Sequence, residues 1–202
     1  MFNPYNRNKV IANKQKNLGK LNKDIDKMWK SPWFDVEECM NVQKFSSKQR
    51  DEINSLKKMN EAENNFNKNI NLDDYRNRDG SFNVYQTKRP LNNKSGEGSY
   101  NNSSKLFHEG MAIGNGQKML YSDYGVKEGN LNVRFWDSNQ PKDQWRDTKM
   151  VGKSYASNNQ VKNAFFGPNS EKWTNPNDYS LLFHNCQDYS NQMRNNLMNF
   201  NK

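Results

Sequence analysis

"LFHNCQDYSNQMRNNLMNF", residues 182–200, holds one of the chain's two cysteines and one of its two histidines. Cys186, Tyr189, Met193, Leu197 and Phe200 recur at intervals of three and four, the spacing of an amphipathic helix with one face on a core. Asn185 is a favoured N-cap, and Asp188 stands where the reciprocal member of a capping box belongs. Cys186 is therefore expected to open a helix. A thiol there meets the positive end of the helix dipole and unpaired backbone N–H groups, which favour the thiolate. The same N–H groups could receive a developing oxyanion. The competing reading is a buried apolar contact, since free cysteines are among the most buried side chains. A nearby base decides between the two.

The candidate base is His108, in "KLFHEGMAI" (105–113). With "GNGQ" and "KMLYSDYG" this stretch forms the clearest hairpin of the chain, because Asn115-Gly116 accepts positive φ at both central turn positions. Gly110 and Ala112 share the strand face of His108 and leave room for a helix to approach. A two-residue turn pairs residues 114 and 117 and sets His108 opposite Asp123, whereas a three-residue loop brings Ser122 there. Asp123 is the expected orienter, since a carboxylate fixes the imidazole tautomer and stabilises the imidazolium. Its alternative role is to open the "SDYG" turn. His184 precedes the helix and is assigned a structural or substrate-lining role. Gln187 could line an oxyanion site or be a surface residue, and Cys39 is read as core.

Outward from this pair, the first seventy residues read as helical. Leu18, Leu21, Ile25 and Met28 form one stripe. "SPWFDVEECMNV" (31–42) starts a second helix capped by Ser31, with Pro32 at its first position. A third runs from Ser47 to about Phe66. "SFNVYQT" (81–87) and "NLNVRFW" (130–136) alternate as strands, "PLNNKSGEGSYNNSS" (90–104) is a loop or lid, "NQVKNAFF" (159–166) is a short helix and "GPNSEKWTNPND" (167–178) a loop. Helices, then strands, then a helix predict an α+β fold, with a basic helical region over 1–75 and a second domain over 76–202.

With 202 residues the chain can bury a real core, and five Trp and eleven Phe supply large packing units. The net charge is +9, and residues 1–30 carry eight Lys/Arg against Asp24 and Asp26, so +6 of it lies there. Such an arm could touch nucleic acid, anionic lipid or an acidic protein, or simply solvate a helix face. Two distant cysteines and two histidines make neither a disulfide framework nor a zinc spacing, so no metal or other cofactor is expected. No membrane span or secretory signal is expected either, because no apolar run is long enough and "MFNPYNRNKV" has no hydrophobic stretch behind its charges.

"HEGMAIGNG" followed by "NCQDYSNQM" resembles the circularly permuted papain-like cysteine hydrolases: the NlpC-type peptidases in permuted order and the lecithin:retinol acyltransferase relatives. The resemblance covers roughly residues 105–200. It implies an antiparallel sheet carrying a C-terminal nucleophile helix, and cleavage or transfer at an amide or ester carbonyl through a thioester. One position departs from the pattern. Where the relatives carry a polar side chain, often histidine, this chain has Leu120, which cannot orient an imidazole. The resemblance implies Cys186 as nucleophile and His108 as base, with a peptide, protein or peptidoglycan substrate, or a lipid ester in an acyltransferase or lipase of the same fold. A charged domain of this type behind an unrelated helical lead-in also resembles bacterial effector toxins, which implies export by a secretion system and a cognate immunity protein. The reading from another class is a nucleic-acid-binding protein or a metal-independent ribonuclease using His108, His184 and the lysines. A third is an inactive papain-like domain used for interaction.

Overall fold

The computed structural model describes residues 6–33, 35–90, 107–127, 130–137, 147–174 and 185–200. The chain forms two compact units, Met1–Asn64 and Asn65–Lys202. The expected division lay between residues 75 and 76. The structure groups Phe66, Leu72 and Tyr75 with the sheet, because Phe66 stacks in an aromatic cluster with Phe135, Phe165 and Phe166.

The first unit is built from α1 (Arg7–Trp29) and most of α2 (Val36–Asn69). Val10, Ile11 and Leu18 of α1 pack on Ile53 and Leu56 of α2. Arg7 reaches Asn60 and Glu63 at 2.8 and 2.7 Å. The second and third helices expected from the sequence are one helix. Its N-terminus is capped by Asp35, whose Oδ1 accepts from the N–H groups of Glu37 and Glu38, and not by Ser31. From Val36 to Asn69 there is no Gly or Pro to stop it. Ser46, inside it, donates its hydroxyl to Asn22 across the helix pair.

The second unit is α+β. Five antiparallel strands, β1 (Phe82–Pro90), β2 (Phe107–Gly114), β3 (Met119–Lys127), β4 (Asn130–Asp137) and β5 (Asp147–Ser154), form one sheet in the order β4-β3-β2-β1-β5. Sequence patterning did not reveal β5. It is an edge strand with Met150 and Val151 partly exposed, so it lacks the in/out contrast that marks a strand.

The hairpin turn also differs from expectation. Gly114 pairs with Met119, so the loop takes in residues 115 to 118. The Asn115 N–H donates to the Lys118 carbonyl at 3.2 Å and the Asn115 Oδ1 accepts from the N–H groups of Gln117 and Lys118, which centres the turn on Gly116 and Gln117 and not on Asn115 and Gly116. Gly116 supplies φ +86°. At Gly114 a Cβ would lie 2.2 Å from the Lys118 carbonyl oxygen.

Two helices cover the sheet, α3 (Asn158–Phe166) and α4 (Cys186–Met198), and Pro168–Thr174 forms a 3-10 helix where a loop was expected. α4 crosses the sheet and touches β3, β2, β1 and β5. Its far end is tied to β5 and the segment beyond it: Ser154 donates to the Leu197 carbonyl at 2.6 Å, and the Tyr155 N–H to that of Phe200 at 2.8 Å. Met198 fills the space over Gly152. Trp173, Tyr124 and Tyr189 pack edge to face and tilted with centroids 5.1 to 5.9 Å apart, each pair adding about 1 kcal/mol to its area burial. Among the described residues no helix is long and apolar enough to cross a membrane.

Candidate active site

Cys186 is the first residue of α4, and the capping box read from the sequence is present. Asn185 Oδ1 accepts from the N–H groups of Gln187 and Asp188, and Asp188 Oδ2 accepts from the Asn185 N–H. Two of the free N–H groups expected at this helix start are therefore taken by the cap. The Cys186 N–H is the donor left nearest the sulfur for an oxyanion. Gln187 is exposed, in keeping with a surface residue.

His108 is buried at the start of β2 and Asp123 is buried on β3. Nε2 of the imidazole lies 2.9 Å from Oδ2 of the carboxylate. The turn, centred one residue later than expected, sets Gly110, not His108, opposite Asp123, which corrects the expected register. The contact survives because the shift is by two residues, and a strand presents alternate residues on one face. His108 then reaches Asp123 diagonally. Ser122, the other candidate, is committed elsewhere: it shares a short hydrogen bond with the Tyr189 hydroxyl. Leu120 is in the core.

Cys186 meets this pair where the β2–β3 ladder stops. The last pairing is Gly110 with Asp123, and one residue further the Glu109 N–H donates to Sγ of Cys186 at 3.4 Å. The imidazole lies close enough to the sulfur for the two to interact electrostatically. With Nε2 donating to Asp123, Nδ1 is the ring nitrogen left for the thiol. The room for the helix was expected over Gly110 and Ala112. It lies instead on the opposite face, where Tyr189 meets Ser122 and Arg194 meets Glu109.

Burial pushes the imidazole down, but the hydrogen bond and charge of Asp123, with a further contribution from Cys186, outweigh it. His108 therefore titrates above its ordinary value of 6.5. Tyr189 is held well above the ordinary phenol value by complete burial, which the Ser122 hydrogen bond only partly offsets, and the charge of Asp123 adds to the rise. It stays neutral.

Three residues near the sulfur were not legible as site residues. Glu109 is buried and bonds Arg194 at 3.0 Å, and Ser190 donates to the Gly110 carbonyl at 2.8 Å. The available signal was spacing: Ser190 and Arg194 follow Cys186 at i+4 and i+8, on one helix stripe. Cys39 is buried in α2, as a core residue should be. His184 lies outside the described residues, as do residues 91–104 of the expected lid. No three His, Cys, Asp or Glu side chains converge as metal ligands among the described residues. No family model, curated protein or solved structure matches the chain.

Proposed function

We propose that this chain is a cysteine-dependent hydrolase acting on an amide or ester carbonyl through a thioester, with the permuted papain-like arrangement that the sequence resembles. The observation that carries the reading is His108 bonded to Asp123 at 2.9 Å beside Cys186, whose Sγ accepts from the N–H of the next residue, Glu109, at the buried end of the β2–β3 ladder. A cysteine that is only a core contact has no need of an imidazole held in a single tautomer by a carboxylate.

In this reading Nδ1 of His108 takes the Sγ proton and the sulfur attacks the carbonyl carbon. The oxyanion forms beside the Cys186 N–H. When the tetrahedral species collapses, the C–N or C–O bond breaks and the imidazolium returns the proton to the leaving amine or alcohol. His108 then deprotonates water, which attacks the thioester. The acid departs and Sγ is regenerated. Asp123 holds the ring with Nδ1 toward the sulfur and stabilises the imidazolium, the role usually given to the residue at the position of Leu120.

For substrate class we propose a peptide, protein or peptidoglycan stem, and for setting a bacterial effector toxin neutralised by an immunity protein. The test has two parts. The purified chain is incubated with p-nitrophenyl acetate and with iodoacetamide near pH 6.5, and the Cys186 peptide is examined by mass spectrometry. Rapid acetylation and alkylation, both absent in Cys186→Ala, are expected. Alkylation of Cys186 no faster than that of glutathione at the same pH would sink the reading. Expression of wild type and Cys186→Ala in the bacterial cytoplasm and periplasm then locates the target, since arrest only on export points to cell wall.

A further inference from the structure

Three α4 residues spaced one turn apart bond to two consecutive residues of β2 that follow His108. Cys186 Sγ accepts from the Glu109 N–H at 3.4 Å, the Ser190 hydroxyl donates to the Gly110 carbonyl at 2.8 Å, and Arg194 Nη2 donates to Glu109 Oε1 at 3.0 Å. Arg194 also reaches Asn191 on its own helix. Glu109 thus touches the nucleophile through its backbone and Arg194 through its side chain.

Glu109 is buried and Arg194 partly so, and an ion pair withdrawn from water in this way is a poor source of net stability, because desolvating the charges offsets most of their attraction. Leu or Met at both positions would pack as well. What such a pair supplies is register and a fixed local charge. We propose that Glu109 and Arg194 are positioning residues for the proposed reaction: they lock α4 against β2 so that the Glu109 N–H and the His108 ring both reach the sulfur, and Arg194 cancels a carboxylate that would otherwise oppose the thiolate. This inference rests on reading Cys186 as the nucleophile.

The ionisable side chains around the sulfur, among the described residues, are His108 and Glu109 on β2, Asp123 on β3, and Asp188, Tyr189 and Arg194 on α4. Asp188 is engaged in the cap, and Tyr189 is neutral. Glu109 and Arg194 are therefore the charges whose removal has a predictable sign. Arg194→Met leaves an uncompensated carboxylate and slows iodoacetamide alkylation of Cys186 at pH 6.5 by about tenfold, with little change at alkaline pH. Glu109→Gln leaves the guanidinium alone and speeds the same reaction. The double variant Glu109→Gln/Arg194→Met returns close to wild type, and Arg194→Lys recovers part of the loss.

The experiment is the pH profile of Cys186 alkylation in these variants, each checked for its thermal midpoint. Opposite shifts in Arg194→Met and Glu109→Gln support the assignment, because a merely structural pair would move both the same way or neither. Unchanged profiles with lowered midpoints would overturn it. Should Arg194→Met not fold, Glu109→Gln and Arg194→Lys carry the comparison, and a slower or unchanged Glu109→Gln overturns the assignment by itself. A wild type that alkylates like an ordinary thiol defeats the proposed function itself; a fast wild type with indifferent variants defeats only the positioning role.

Discussion

Nε2 of His108 lies 2.9 Å from Oδ2 of Asp123, although the strand register sets Asp123 opposite Gly110. Diagonal neighbours on one face of an antiparallel pair are within reach of a ring as long as imidazole. The contact therefore survives the two-residue slip set by the turn, which keeps both side chains on one face and within diagonal reach.

Asp123→Asn keeps the shape and removes the charge. It is expected to reduce turnover of any ester or amide substrate on the order of 10³-fold, through the wrong tautomer and a less stable imidazolium. Ser122→Ala removes only the bond to Tyr189. It should cost about 1 kcal/mol of stability in urea unfolding and leave turnover within a few-fold. Equal losses in the two variants would show that Asp123 is not the orienter.

The elevated His108 makes stability depend on pH with a definite sign. The native state holds the proton more tightly than the unfolded state, whose ring titrates near 6.5. The contribution is fully present below that value and is lost as pH rises through the elevated native one. Urea midpoints measured from pH 5.5 to 8.5 should fall across that window in the wild type. Asp123→Asn should flatten the fall.

Asn185→Ala strips the cap from α4, freeing the N–H groups of Gln187 and Asp188. The expected cost is about 1 kcal/mol in thermal or urea unfolding, with Asn185→Asp restoring most of it. Because Cys186 is the next residue, the Ala variant should also alkylate more slowly at neutral pH as the first turn frays.

Gly114→Ala places a methyl against the Lys118 carbonyl and should be destabilising by about 2 kcal/mol or more. Gly116→Ala is strained at φ +86° and should cost about 1 kcal/mol. Both effects are readable as lowered denaturation midpoints. Calorimetry showing Gly114→Ala unchanged would mean the turn has another conformation.

Local signals in this chain carried far. The cap at Asn185, the stripe from Cys186 to Leu197 and the alternation of β2 and β3 are short-range patterns, set by backbone geometry and side-chain period, and all are legible by eye. The same patterns nominated Cys186, His108 and Asp123. Weak local cues misled: Ser31 and Pro32 suggest a helix start that Asp35 provides, and the Asn115-Gly116 pair suggests a turn that is centred one residue later. The polar edge strand β5 had no pattern to read.

The sequence by itself determined that Cys186 begins a helix, because the cap and the spacing decide it, and it narrowed the partner of His108 to Asp123 or Ser122; the turn register decided between them. Only the tertiary structure decided that the β2–β3 ladder ends one residue short of Glu109, which lets the helix start reach the imidazole, and that Glu109, Ser190 and Arg194 clamp the two elements together. Those contacts join residues 77 to 85 positions apart in the chain. No local propensity encodes them; they exist because α4 buries its apolar stripe across the whole sheet, and the polar groups along that stripe must find partners where the packing leaves them.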